Sequence, residues 1–169
     1  MARQVNSRRR RGAFSLIELV IVVVIIGIIA AIAIPRMSRG TAAAGDSALS
    51  GNLSVLRNAV ELYATEHGGT FPSGANIVNQ LTQYTDDAGS PQAAKDTTHV
   101  YGPYLRKIPP VTVGTLKGDN TKNSLIIAQA TDTPEASPTG GWIYNTGTGA
   151  MHANVPTLAD QAGKLYSDY

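Results

Sequence analysis

The sequence predicts an α+β fold: a long N-terminal helix, apolar in its first half and amphipathic in its second, packed on a small antiparallel β-sheet head. Three observations carry that prediction. Residues 14–34 form an almost unbroken apolar run. Farther on, Leu49, Leu53, Leu56, Val60 and Tyr63 recur at spacings of 4, 3, 4 and 3, the period of one helix face. Toward the end, residues 124–130, 141–145 and 150–155 read as short strands separated by turn residues.

The first element is a membrane span. Phe14 to Ile34 is 21 residues interrupted only by Ser15, Glu18 and Gly27, about 31 Å as a helix. That matches the roughly 30 Å hydrocarbon core of a bilayer. Eleven of the sixteen residues from Leu19 to Ile34 are Val or Ile, which weakens a helix in water. Lipid offers backbone groups no other partner, so a spanning segment must be helical regardless. The alternative, a buried core helix, rarely begins beside four consecutive arginines such as Arg8 to Arg11.

Charge sets the expected orientation. Residues 1–13 hold five arginines and no acid, leaving nine basic against twelve acidic residues beyond them, a net of −3. A basic cluster just before a span marks the cytoplasmic side. The expectation is a single pass through the inner, cytoplasmic membrane, with everything after Ile34 periplasmic or extracellular. No aromatic-interleaved basic surface follows the arginines, so no nucleic-acid partner is expected.

Glu18 breaks the apolar run. A carboxylate there costs on the order of 3 kcal/mol and marks a partner or a function. The nearest cation in the sequence, Arg11, is seven residues away, about 10 Å along a helix, too far for a contact pair. Either Glu18 reaches interfacial water, or its partner comes from another molecule.

The run Arg11-Gly12-Ala13-Phe14-Ser15-Leu16-Ile17-Glu18-Leu19-Val20 resembles the class III leader junction of type IV pilins and type II secretion pseudopilins. In that family a membrane peptidase and methylase removes the basic leader and N-methylates the new terminus, commonly Phe. Glu follows at the fifth mature position and often Pro at the twenty-second. Counted from Phe14, Glu18 is fifth and Pro35 twenty-second. Ala13 stands where the family strongly prefers Gly, and Gly12 is one step earlier; cutting after Gly12 instead would shift both positions by one. Gly12, Ala13 and Phe14 are therefore the expected processing residues and Glu18 the expected assembly residue. The resemblance covers residues 8–35 and implies a pilus-like or pseudopilus fibre of this chain with other pilin-like subunits. It also implies partners in the prepilin peptidase, the inner-membrane assembly machinery and, before assembly, lipid. Losing residues 1–13 removes five positives and creates one amine at Phe14, which a neighbouring copy's Glu18 can pair with.

Two other fates compete. Ala31-Ile32-Ala33 resembles a signal-peptidase site that would release a protein starting at Ile34, although the run is long for such a signal. An uncleaved anchor carrying an extracytoplasmic binding protein is the other. With no Cys, a lipoprotein anchor is excluded, and the edge of the head is left to packing alone.

The remaining elements follow in order. The expected boundaries are a leader at 1–13, the span at 14–34, an amphipathic helix at 35–67 and a head at 68–169. Pro35 kinks the helix or ends it. Ala48, Val55, Ala59 and Leu62 are expected to widen the buried stripe, and Gly68-Gly69 followed by Pro72 to stop the helix. In the head, residues 77–84 read as a short helix and 90–98 as a polar loop. Gly102 to Pro110, a stretch similar to one in major pseudopilins, reads as a brief turn or helix stopped by Pro109. Asn145 to Gly149 supplies a hairpin turn.

The chemistry of catalysis is missing, which points to a structural protein and not an enzyme. His67, His99 and His152 are scattered, without Cys or a paired-histidine motif, and no metal site or cofactor is expected. Asp86-Asp87, Asp119-Asn120 and Asp132 with Glu135 lack EF-hand spacing. Asp160 and Asp168 are too sparse to carry over the calcium cluster that the resemblance implies for major pseudopilins. Tyr101, Tyr104, Tyr166 and Tyr169 either meet a partner or fill the core.

Overall fold

The computed structural model describes residues 14–160 and 162–169. The chain forms two units, Met1–Gly40 and Thr41–Tyr169. Helix α1 (Leu16–Glu66) begins in the first and ends in the second.

In the first unit the described chain is helical from Leu16 onward, and it stays so through Pro35, which does not end the helix. Its large apolar side chains are uncovered, from 43% exposed at Val20 to 82% at Leu16. In water such a surface is unfavourable by about 25 cal/mol per Å², so it requires lipid or protein around it. The leader, with Gly12 and Ala13, lies outside the described residues.

In the second unit Leu49, Leu53, Leu56, Val60 and Tyr63 are all buried to 2% exposure or less, and Ala59 and Ala64 join them. Ala48, Val55 and Leu62 face outward instead. At 3.6 residues per turn they sit roughly 120–160° round the helix from Val60, outside the stripe they were expected to widen. The helix stops as its punctuation implies. Gly68 and Gly69 adopt φ of +64° and +86°, and the Gly69 N–H turns back to the Ala64 carbonyl at 2.7 Å, satisfying an orphan carbonyl of the last turn.

The short helix α2 (Ile77–Thr82) buries Ile77, Gln80 and Leu81. Beyond it β1 (Tyr84–Thr85) pairs antiparallel with β2 (Pro91–Gln92), so the expected polar loop contains a two-residue strand. No helix forms between Gly102 and Pro110. The Tyr104 and Leu105 N–H groups there both donate to the Leu81 carbonyl, at 3.0 and 2.9 Å, and so close the end of α2.

The main sheet has three strands in the order β3 (Ile126–Gln129), β4 (Trp142–Asn145) and β5 (Met151–Ala153). β4 and β5 form the expected antiparallel hairpin, with Trp142 opposite Ala153 and Tyr144 opposite Met151. β3 runs parallel to β4, with Ile126 opposite Trp142. The sheet is therefore mixed, antiparallel as expected at β4–β5 and parallel at β3–β4. A parallel pair needs a crossover of about a dozen residues, and residues 130–141 supply it. Pro134 and Pro138 keep that crossover from being helical. Its centre is pinned by Glu135 and Asn154: the Glu135 N–H donates to Asn154 Oδ1, and Asn154 Nδ2 donates to Glu135 Oε2, each at 2.8 Å.

β4 is central and buried throughout. Trp142 and Tyr144 point into the core with the α1 stripe, Met151, Val111 and Val155. Their polar tips find partners as buried aromatics require: Trp142 Nε1–H donates to the Pro109 carbonyl and the Tyr144 hydroxyl to the Pro72 carbonyl, both at 2.7 Å.

Candidate assembly site

The site begins where the helix begins. The Ser15 carbonyl accepts the N–H groups of Glu18 and Leu19 at 3.1 and 3.2 Å, so the first turn of α1 closes directly after Phe14. Glu18 lies in that turn and is exposed. A carboxylate near a helix N-terminus is favoured by the unpaired N–H groups there. Among the described residues it has no ion-pair partner. Phe14 is 76% exposed. One acid and one exposed aromatic side chain thus stand at the head of a helix long and apolar enough to cross a membrane. Pro35 lies within the same helix.

A family model described as the prokaryotic N-terminal methylation motif matches residues 8–34. Among curated proteins, the type II secretion system core protein G of Aeromonas hydrophila is 24% identical over 102 residues, covering 60% of this chain and 67% of that protein. The chain carries the signature of the pilin and pseudopilin family. No solved structure matches it significantly. The α+β architecture, a long helix with a small mixed sheet, is pilin-like.

The pilin-like head ties its C-terminal segment down with hydrogen bonds, which corrects the expectation that packing alone holds it. The Tyr166 hydroxyl donates to Asp46 Oδ1 on α1 at 2.5 Å. Arg57, also on α1, donates to the carbonyls of Met151, at 2.9 Å from one guanidinium nitrogen, and of Tyr169. The Tyr169 hydroxyl donates to Asp160. Burial and the Asp46 contact push the Tyr166 phenol up to about 12. The Asp160 bond does most to push Tyr169 up to about 12. The same phenol, with the Lys164 N–H, holds the Asp160 carboxyl below its ordinary value. Partial burial lowers the Arg57 pKa.

All four flagged tyrosines are engaged inside the chain. Tyr101 donates to Asp87 and Tyr104 to Glu66, each at 2.7 Å. Nothing local in the sequence announces such pairs, because each partner lies between 9 and 120 residues away.

The histidines go to three separate places. His67 stacks on Tyr63, ring centroids 3.9 Å apart, with Nδ1 2.8 Å from the Tyr63 carbonyl and Nε2 3.0 Å from that of Asp86. His99 meets Asp96 through Nδ1, and the Thr98 hydroxyl shares that nitrogen at 3.1 Å. A triad needs the acid on one ring nitrogen and the nucleophile on the other, so this is an aspartate-capped turn. The N–H groups of Thr98 and His99 confirm it, donating to Asp96 Oδ1 at 2.8 and 2.7 Å and holding that carboxyl well below the usual range. His152 Nε2 is 3.5 Å from Asp132, which also accepts a bond from Asn145 at 2.8 Å.

The acidic pairs are likewise committed. Glu135 is occupied by Thr139 and Asn154. Asp119 caps Thr121, whose hydroxyl donates to it at 2.6 Å. Among the described residues no three potential ligands converge.

Proposed function

We propose that this chain is a structural subunit of a type IV pilus-like or type II secretion pseudopilus fibre, assembled after leader removal and N-methylation at Phe14. The observation that carries the reading is Glu18, one acid in the first turn of an uncovered apolar helix and inside the matched methylation motif. Before assembly the span at residues 14–34 sits in the cytoplasmic membrane with the leader on the cytoplasmic side and the head outside. A peptidase cuts after Ala13, removing five positives and freeing the Phe14 amine. Glu18 of an incoming copy pairs with the amine of a neighbour, which relieves a charge that both lipid and a dry fibre core disfavour. That pairing sets the axial register of subunits, with other pilin-like chains at some positions. Burying apolar side chains at about 1.5–3 kcal/mol each drives assembly; lost lipid contacts and subunit freedom offset much of it. Pro35 eases the path of the helix by leaving one N–H bond unmade.

Mass spectrometry of the N-terminus in protein from its native host tests this reading. Methylated Phe14 is the expected result. An intact arginine leader instead identifies an uncleaved anchor, and a terminus at Ile34 identifies a protein released by signal peptidase.

A further inference from the structure

Just past the end of α1, both ring nitrogens of one histidine meet carbonyl oxygens. His67 Nδ1 is 2.8 Å from the Tyr63 carbonyl and Nε2 is 3.0 Å from the Asp86 carbonyl. A carbonyl only accepts and a neutral imidazole has a single N–H, so the neutral ring leaves one of these contacts without its proton. The imidazolium donates to both. Both carbonyls are fixed by main-chain bonds as well: that of Tyr63 accepts the His67 N–H at 3.0 Å, and that of Asp86 the Gly89 N–H at 2.9 Å. Beside Nε2 stands the buried Thr85 hydroxyl, 3.2 Å away. It can donate to the bare nitrogen of a neutral ring and turn its proton elsewhere when that nitrogen is itself a donor.

The surroundings favour a positive ring. His67 stacks on Tyr63 with centroids 3.9 Å apart and lies 5.0 Å from the Tyr101 ring, and aromatic faces attract cations. The last turn of α1 has no basic residue, and a cation is favoured at that end of a helix. The titratable groups around it are Tyr63 and Glu66 on α1, Asp86 and Asp87 on the β1–β2 turn, and His99, Tyr101 and Tyr104 on the segment that follows. Glu66 and Asp87 accept the Tyr104 and Tyr101 hydroxyls, and the Asp86 carboxylate accepts the Ser90 N–H. His99, held by Asp96, is the member of this group that gains charge over the same pH range as His67.

We propose that His67 is an acid-operated clamp: with a second proton it ties the end of α1, through the Asp86 carbonyl, to the β1–β2 turn, and on losing that proton it releases the turn. A proton that the native fold holds more firmly than the unfolded chain does adds stability as the pH falls, so the clamp tightens on acidification. Every residue in it lies in the second unit, and it operates whether or not fibres form.

NMR of the detergent-solubilised full chain tests the clamp. On going from about pH 7.5 to about pH 5.5, across the histidine range, long-range nitrogen–proton spectra should show His67 passing from one ring N–H to two. Hydrogen-exchange protection of the Thr85 and Gly89 amides, corrected for intrinsic exchange, should rise at least about threefold over the same interval. His67→Phe keeps a ring to stack on Tyr63 and should abolish that rise, whereas His99→Gln should preserve it. A ring that keeps a single N–H throughout, or protection that does not rise, overturns the clamp. So does a rise that survives His67→Phe or vanishes in His99→Gln. If His67→Phe does not fold, the ring-nitrogen spectra of the unsubstituted chain decide the matter alone.

Discussion

Tyr166 and Asp46 are 120 residues apart in sequence and 2.5 Å apart in space, the phenol donating to the carboxylate. Together with Arg57 and Tyr169 the pair binds the last turn of chain to α1. Tyr166→Phe removes one hydrogen bond to a charged acceptor and should cost about 1.5–3 kcal/mol. Denaturant unfolding of the detergent-solubilised chain measures it; an unchanged midpoint would show that the strap contributes nothing.

The same phenol makes stability fall in alkali. The Tyr166 pKa is raised from 10.0 to about 12, so the native state keeps its proton where the unfolded chain has lost it. Its contribution is complete below pH 10 and disappears as the pH rises toward 12. Asp160 behaves oppositely: its native pKa lies below 3.8, so its contribution is present above that value and is lost as the pH falls through the lower native one. Unfolding midpoints across the pH range should decline at both ends, and Tyr166→Phe should flatten the alkaline decline.

Which face of α1 is buried can be read from two neighbouring substitutions. Leu53 is 1% exposed and Val55 47%. Leu53→Ala should cost about 2–5 kcal/mol, and Val55→Ala no more than about 0.5 kcal/mol in the unassembled subunit. Equal costs would mean that the helix is rotated from the orientation described.

Gly149 closes the β4–β5 turn with φ of +72°, and a Cβ there would stand 2.5 Å from the Phe71 ring. Gly149→Ala combines a left-handed backbone, costing about 1–2 kcal/mol, with that clash. A destabilisation above about 2 kcal/mol is expected from thermal or denaturant unfolding; a neutral result would place Phe71 elsewhere.

These elements were not equally legible in the sequence. The buried stripe of α1 and the β4–β5 hairpin follow from signals within a few residues, a 3.6-residue period and the turn run from Asn145 to Gly149. Ala48, Val55 and Leu62 misled because apolar composition shows that a face is apolar but not what covers it. The parallel pairing of β3 depends on a crossover held by Glu135 and Asn154, 19 residues apart, and β1 and β2 are two-residue pairs too short to leave a pattern. The tyrosine–carboxylate contacts are set by tertiary packing, which no local spacing encodes. Glu18 stands out in the sequence by chemistry alone, as a charge in an apolar run, and the structure adds that it lies exposed in the first turn of α1.

The most direct test of the whole account is fibre yield from Glu18→Ala in the native host, compared with the extent of leader removal. The substitution removes the paired charge and leaves Phe14 and its junction intact, so processing should continue at close to the normal level while polymerisation is severely reduced. Fibres at normal yield from processed Glu18→Ala subunits would contradict the pairing on which the account rests.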